Sequence, residues 1–534
     1  MSKWKRTARA GLCSLAVCAC GDADGPSASQ TMLHTTASTI APAVASAPRL
    51  IAPLSTLTVT NKRPRLTWAL PAGETSAWVD LCWDRHCINV IRTMHVTGTH
   101  VRVPSPLATG VVFWRVRSAS AEAASPIWEF FVHADAKANT AFASTADLDG
   151  DGAGDAIVAA HDGIVVVPGE YGGLATDRAA IILLPGDNHV TNTGDVNGDG
   201  IADVLITQSG TGYLFFGSPS GISPLPAQVL AVPAANDDVA DDAGDFNGDG
   251  YADVVVADAS NERALVHFGS PSGLDAVPPL VLAAPVAGVG FAASVAGVGD
   301  VNGDGRGDVA IGAPGSNAGA GLVYVVRGGT TMTSAIVIAP AEAGDASFGE
   351  AVAGTGDVDD DGLADLVASA VYGGLVQIEV FRSRCTMSRC APTVLTSGTS
   401  SALFTGRAII AGDLDGDDFA DVVVAASAPT LESGNVGLLR VFLGSVHGPQ
   451  TTAAATLSDG YAGGRFGQAF ASPGDVDGNG RPDLLVGAEL SPTSNHLPFF
   501  GAGRAYLYSG IGGTPLQTLA GESYDMTLFG MSVD

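Results

Sequence analysis

The stretch 195-DVNGDGIAD-203 packs three aspartates, one asparagine and two glycines into nine residues with no basic side chain. Related stretches start at 147 (DLDGDGAGD), 245 (DFNGDGYAD), 300 (DVNGDGRGD), 357 (DVDDDGLAD), 413 (DLDGDDFAD) and 475 (DVDGNGRPD). The seven copies are spaced 48, 50, 55, 57, 56 and 62 residues apart. A period of this length marks a repeat architecture and suits a four-stranded propeller blade.

The surroundings repeat as well. An apolar-rich stretch such as FAASVAGVGD leads in, and a strand-like run such as DVLIT, DVVVA or DLLVG follows at once. After a variable segment comes a further run, such as GYLFFGS or RAYLYSG, and a fourth such as AQVLAV closes the unit. The acidic loop is therefore predicted to join the first and second strands of each blade. Short Val/Ile/Leu runs bounded by Gly, Asp, Asn and Pro dominate a chain with 69 glycines and 46% hydrophobic residues. The expectation is an all-β chain: a seven-bladed β-propeller over residues 138–534, preceded by a small β-sandwich.

Within each loop, oxygen-bearing side chains occupy positions 1, 3, 5 and 9. They are Asp147, Asp149, Asp151 and Asp155; Asp195, Asn197, Asp199 and Asp203; Asp245, Asn247, Asp249 and Asp253; Asp300, Asn302, Asp304 and Asp308. The later loops offer Asp357, Asp359, Asp361 and Asp365; Asp413, Asp415, Asp417 and Asp421; Asp475, Asp477, Asn479 and Asp483. With the position-7 carbonyl, this set gives a hard cation its six or seven oxygens. Position 6 is glycine except in the sixth loop, where Asp418 makes the turn costlier. No histidine or cysteine lies in the loops, which disfavours zinc, and magnesium tends to keep its water, so up to seven Ca²⁺ are expected. Two carboxylates about 4 Å apart repel by roughly 4 kcal/mol at an effective dielectric near 20. Uncompensated loops of three or four would strain the fold, so cation binding is expected to be coupled to folding. Seven such cations would cancel about half of the net charge of −29.

The N-terminus reads as an export signal over 1–20: Lys3, Lys5, Arg6 and Arg9 precede a short apolar run ending in cysteines. It resembles a bacterial lipoprotein signal with Cys20 lipidated; an ordinary secretory signal is the alternative. Residues 21–48 are Ser/Thr/Ala/Pro-rich and read as a tether. Residues 49–134 hold five of the six tryptophans among closely spaced strand-like runs. That pattern suggests a β-sandwich similar to a fibronectin type III or immunoglobulin-like module. Cys82/Cys87 and Cys385/Cys390 form two C-x4-C pairs, read as hairpin disulfides in an exported chain, with a joint metal site as the alternative.

In Phe348-Gly349 and Phe466-Gly467 the phenylalanine stands nine and the glycine eight residues before the loop aspartate, and Gly312-Ala313-Pro314 follows the fourth loop's strand. With the loops, these residues resemble the FG-GAP repeat of integrin α-subunits and related bacterial surface proteins. The resemblance implies a seven-bladed propeller with its calcium loops on one face and partner binding on the other. Early repeats lack the Phe-Gly pair, and repeats four and six keep only Phe291 and Phe404. Phe529-Gly530 looks like the start of another repeat. Either it closes the ring as a spare strand, or a longer chain continues into an eighth blade.

The net charge argues against nucleic acid and anionic lipid as partners, leaving membrane contact to the N-terminal lipid anchor. No G-x-S-x-G or H-E-x-x-H motif occurs and the ten histidines are scattered, so no enzyme is expected. The GRGD at 305–308 is assigned to the fourth loop, with Asp308 facing the metal rather than a receptor. The apolar run Leu497, Pro498, Phe499 and Phe500 is the candidate partner anchor, with local core as its alternative. The expected role is a calcium-binding adhesion or binding module on the cell envelope, or secreted, for a surface protein or polysaccharide. A structural envelope component and a propeller hydrolase are the alternatives.

Overall fold

The computed structural model describes residues 47–533 except 60, 121–122, 133–140, 162, 234–239, 276–278, 332–334, 342–346, 373–374, 386–390, 401–407, 411, 428–436, 462, 492–502, 522–529 and 531. Cys20, Cys390, Phe404, Phe529 and the run Leu497, Pro498, Phe499 and Phe500 lie outside the described residues. Strands account for nearly all regular structure; the described helical elements are three short 3₁₀ turns.

Nine strands build the N-terminal module: β1 (Arg49–Ala52), β2 (Leu57–Val59), β3 (Arg65–Ala69), β4 (Ser76–Cys82), β5 (Val90–Thr97), β6 (His100–Arg102), β7 (Gly110–Ser118), β8 (Trp128–Val132) and β9 (Ala141–Ser144). One sheet runs β1-β3-β6 and the other β5-β4-β7-β8-β2-β9. Alternation along β3 and β7 buries Trp68 and Trp114, and β8 adds Trp128. The two indole rings of Trp114 and Trp128 meet edge-on at 6.3 Å. Trp78 and Trp83 are not core residues: they are 39% and 54% exposed, because the period of two places Trp78 on the outer face of β4. Cys82 and Cys87 are joined by a disulfide that staples the turn from β4 to β5. Strand β9 falls in the segment that the repeat reading counts with the propeller, yet it pairs antiparallel with β2 in the sandwich sheet.

Among the described residues, seven four-stranded antiparallel sheets follow. Six take their strands in chain order, one of them with a two-stranded hairpin (Gly269–Ser270 and Gly273–Leu274) before its last strand, and each acidic loop among them joins the first strand to the second. Their inner strands are His189–Gly194, Ala240–Gly244, Val295–Gly299, Val352–Gly356, Ala408–Ile410 and Phe470–Gly474. The remaining sheet, here blade 1, is built from 156–183 and takes its inner strand from Ser532–Val533, which pairs with Ala156–Ala160. That strand touches the inner strands on either side, Phe470–Gly474 and His189–Gly194, so the inner strands form a closed ring. The chain is an all-β propeller.

The Phe-Gly and Gly-Ala-Pro segments explain how neighbouring blades meet. A Cβ on Gly312 would stand 1.9 Å from the Gly349 carbonyl oxygen. Only glycine lets the next blade's Phe-Gly backbone approach this closely. Phe348 and Phe466 are fully buried, and the Gly467 N–H donates to the Gly487 carbonyl. Ring closure reproduces the same contact: a Cβ on Gly487 would meet the Gly530 oxygen at 2.1 Å, and the Gly530 N–H donates to the Ala159 carbonyl. Gly530 thus marks blade 1's missing entry, and the spare-strand alternative describes the observed structure.

Candidate metal centre

Each acidic loop is a turn wound around its first aspartate. In the second loop the Asp195 carboxylate accepts N–H groups from Gly198, Asp199 and Gly200 at 2.7–3.1 Å. Asp245 and Asp300 accept the equivalent three. Position 5 adds an Asx turn, its oxygen accepting the position-7 N–H in all seven loops, from Asp151 to Asn479. This winding needs left-handed backbone twice. Position 6 has φ near 90° at its six glycines and 75° at Asp418; position 4 is also left-handed, at Gly150, Gly198, Gly248, Gly303, Gly416, Gly478 and Asp360. The position-4 requirement went unread in the sequence, although six glycines signal it. Asp360 and Asp418 fit because aspartate tolerates this region better than most side chains.

Position 9 does more than ligate. One oxygen of Asp203 accepts the Val196 N–H at 3.0 Å and the other accepts the Gly217 N–H at 3.1 Å. The aspartate therefore straps its own loop to the chain beyond the third strand. Asp155, Asp308, Asp365 and Asp421 each make the same pair of contacts, and Asp253 accepts from Gly269 and, in place of the position-2 N–H, from the position-3 N–H of Asn247. The second donor is a glycine in five loops, where a Cβ would strike a backbone oxygen, as at Gly217 and Gly269 (2.3 Å each); Ser383 serves the fifth. Recurrent glycines after the third strand, as in FFGS and HFGS, were the available signal. In the seventh loop Asp483 keeps the Val476 contact but its Oδ1 has no partner.

The loops are also joined to one another. The position-8 N–H of one loop donates to the position-1 carbonyl of the loop before: Ala202 to Asp147, Ala252 to Asp195, Gly307 to Asp245, Ala364 to Asp300, Ala420 to Asp357 and Gly154 to Asp475, all at 2.9–3.1 Å. The seventh loop has Pro482 at this position, which carries no N–H, so the ladder lacks its bond to the sixth loop.

Four loops bring three carboxylates together with oxygens within 4.8 Å of one another: Asp147/Asp149/Asp155, Asp357/Asp359/Asp361, Asp413/Asp415/Asp421 and Asp475/Asp477/Asp483. The same four each leave a buried carboxylate oxygen without a hydrogen bond: Asp149 Oδ1, Asp359 Oδ1, Asp361 Oδ2, Asp415 Oδ1 and Asp483 Oδ1. The sixth loop keeps its cluster despite Asp418. Loops two to four carry asparagine at position 3, and its amide donates to a loop carboxylate: Asn197 to Asp199, Asn247 to Asp249 and Asn302 to Asp308. Burial pushes the carboxyls up, with neighbouring carboxylates adding and backbone N–H groups opposing. Asp147 rises to about 6, Asp195, Asp245, Asp308 and Asp357 to about 7, and Asp421 and Asp483 to about 8. All-oxygen donors, clustered and partly orphaned, fit a hard divalent cation.

Comparison with known proteins agrees with this geometry. Residues 195–256 match the model of the FG-GAP-like repeat, and 291–326 and 466–508 match the FG-GAP repeat. These three segments are similar to FG-GAP repeats. The chain is 29% identical to integrin alpha-5 of Xenopus laevis over 212 residues, which is 37% of this chain and 20% of that protein. It is 33% identical to human integrin alpha-IIb over 156 residues, covering 26% and 14%. The chain thus spans a fifth or less of the length of these relatives. The solved structure of the Dos1 propeller aligns over 80% of this chain and 92% of its own with TM-score 0.36 and 11% identity, too distant to add to the strand order. Among the described residues no helix is long and apolar enough to cross a membrane.

Proposed function

We propose that the chain is a calcium-stabilised, non-catalytic binding or adhesion module of the cell surface, carried there as an exported protein with Cys20 as lipid anchor. The observation behind calcium is the coincidence, in loops one, five, six and seven, of three clustered carboxylates with a buried oxygen lacking any partner. Positions 1, 3, 5 and 9 would hold the ion, whose chemistry there is charge neutralisation rather than catalysis. The oxygens of positions 1, 5 and 9 already orient the turn, so the ion would lock a preformed loop.

Similarity to integrin α repeats supports a recognition role, with a surface protein or polysaccharide as partner. The sandwich bears on the early loops: the Ser55 hydroxyl donates to the Gly200 carbonyl at 2.8 Å, and the Trp128 indole to that of Gly198 at 3.3 Å. That favours the opposite propeller face for the partner. Pull-down of surface polysaccharide and protein, with calcium and with chelator, tests the reading. Calcium-dependent capture through the propeller is expected; capture by neither class, or a thermal unfolding curve unmoved by calcium, would overturn it.

A further inference from the structure

The sandwich contributes an acid to the first loop. Glu129 lies on β8 with its side chain only 4% exposed. Its backbone is fixed on both sides: its N–H meets Ser55 Oγ at 3.2 Å, and its carbonyl accepts the Thr56 N–H at 3.0 Å. The side chain points away from the sandwich core, and its carboxyl comes within hydrogen-bonding reach of Asp147, position 1 of the loop. Glu129 Oε2 is fully buried and makes no hydrogen bond; the Arg85 guanidinium stands 3.6 Å away. Across the loop, Asp149 Oδ1 is likewise buried and unpartnered.

The charges around this corner do not balance. Asp147, Asp149, Asp151, Asp155 and Glu129 face Arg85, which lies against Gly150, and Arg178, which pairs with Asp149. Two guanidiniums meet five carboxyls. A buried acid placed against an acid is costly unless a proton or a cation lies between them. A small cavity beside Glu129 is lined by Val111, Phe130 and Phe131 as well as Thr145, Gly152 and Asp475.

We infer that Glu129 is a ligand of the first-loop cation, supplied across the boundary between sandwich and propeller, so that the ion clamps the two together. This rests on the calcium reading above. No other loop among the described residues is approached by a sandwich carboxylate in this way, so the first site would respond to calcium as a joint rather than as a local turn.

The test compares full-length wild type, Glu129→Gln and Asp151→Asn by calcium titration calorimetry and by hydrogen exchange of residues 128–132 and 147–155. In wild type, calcium should slow exchange in both segments together. Glu129→Gln should weaken one class of site about tenfold or more, as loss of a metal-site partner does. It should also uncouple residues 128–132 from calcium while leaving the protein as stable as wild type in chelator. Asp151→Asn should weaken the same site. If Glu129→Gln binds calcium like wild type and still shows joint protection, a shared proton explains the pair and the inference is wrong. If wild type itself takes up no calcium, the calcium reading has failed instead. If Glu129→Gln loses its melting transition in chelator, Glu129→Asp decides: coupling kept with reduced affinity supports ligation, and unchanged affinity refutes it.

Discussion

Asp365 separates strapping from ligation. It is fully buried in the fifth loop, where it accepts the Val358 N–H at 3.1 Å and the Ser383 N–H at 2.7 Å. Asp361, at position 5, accepts only the Leu363 N–H at 3.0 Å. Asp365→Ala strands two buried backbone donors, each worth about 1–3 kcal/mol. Removing a carboxyl that Asp359, Asp357 and Asp361 repel returns part of that. The net loss in chelator should therefore be about 2–4 kcal/mol. Asp361→Ala should cost under about 1 kcal/mol in chelator, because one turn bond is lost and a charge is relieved. In calcium both variants should lose the stabilisation contributed by their site. Urea unfolding with and without calcium measures all four numbers, and Asp365→Asn, which keeps one acceptor, should fall between wild type and Asp365→Ala. Equal losses for Asp365→Ala and Asp361→Ala in chelator would refute the strap.

Three further outcomes follow from the geometry. Gly487→Ala places a Cβ 2.1 Å from the Gly530 oxygen and should destabilise by about 1–3 kcal/mol, with faster carboxypeptidase trimming of the tail, whereas Gly513→Ala, with open space around it, should be silent. Asp80 is buried, which alone would raise its pKa, but Arg117, Thr93 and Arg115 outweigh burial and hold it low. A carboxyl more acidic folded than unfolded stabilises above the unfolded value near pH 4 and loses that contribution as pH falls through the folded value; Asp80→Asn should flatten this acid limb and cost on the order of 2 kcal/mol at neutral pH, since Arg117 is 40% exposed and screened. Calcium uptake should release protons, because carboxyls near 7, such as Asp357, and near 8, such as Asp483, must ionise to ligate. Calorimetry in two buffers of different ionisation enthalpy reads that release, and affinity should rise from pH 6 to pH 8.

The propeller was legible because one nine-residue pattern carries both period and phase: Asp203 fixes a loop end and a strand start at once. Local chemistry also gave Cys82–Cys87. Residues whose role depends on a distant segment were harder to read. Nothing near Trp78 in sequence shows which face of β4 looks outward. Asp365 reads as a ligand, while its strap to Ser383 needs the third strand in place. Gly530 was ambiguous until Ala159 supplied its partner. Glu129 carries no motif, and only the docking of β8 on the first loop brings it to Asp147.

The inner strand Ser532–Val533 has a consequence for biogenesis. The blade whose outer strands are translated first is finished last, so a nascent chain is an open arc with the Ala156–Ala160 edge bare. Closure of the ring is thereby registered structurally: a polypeptide terminated shortly before residue 532 would retain that bare edge and invite degradation or pairing with a neighbour.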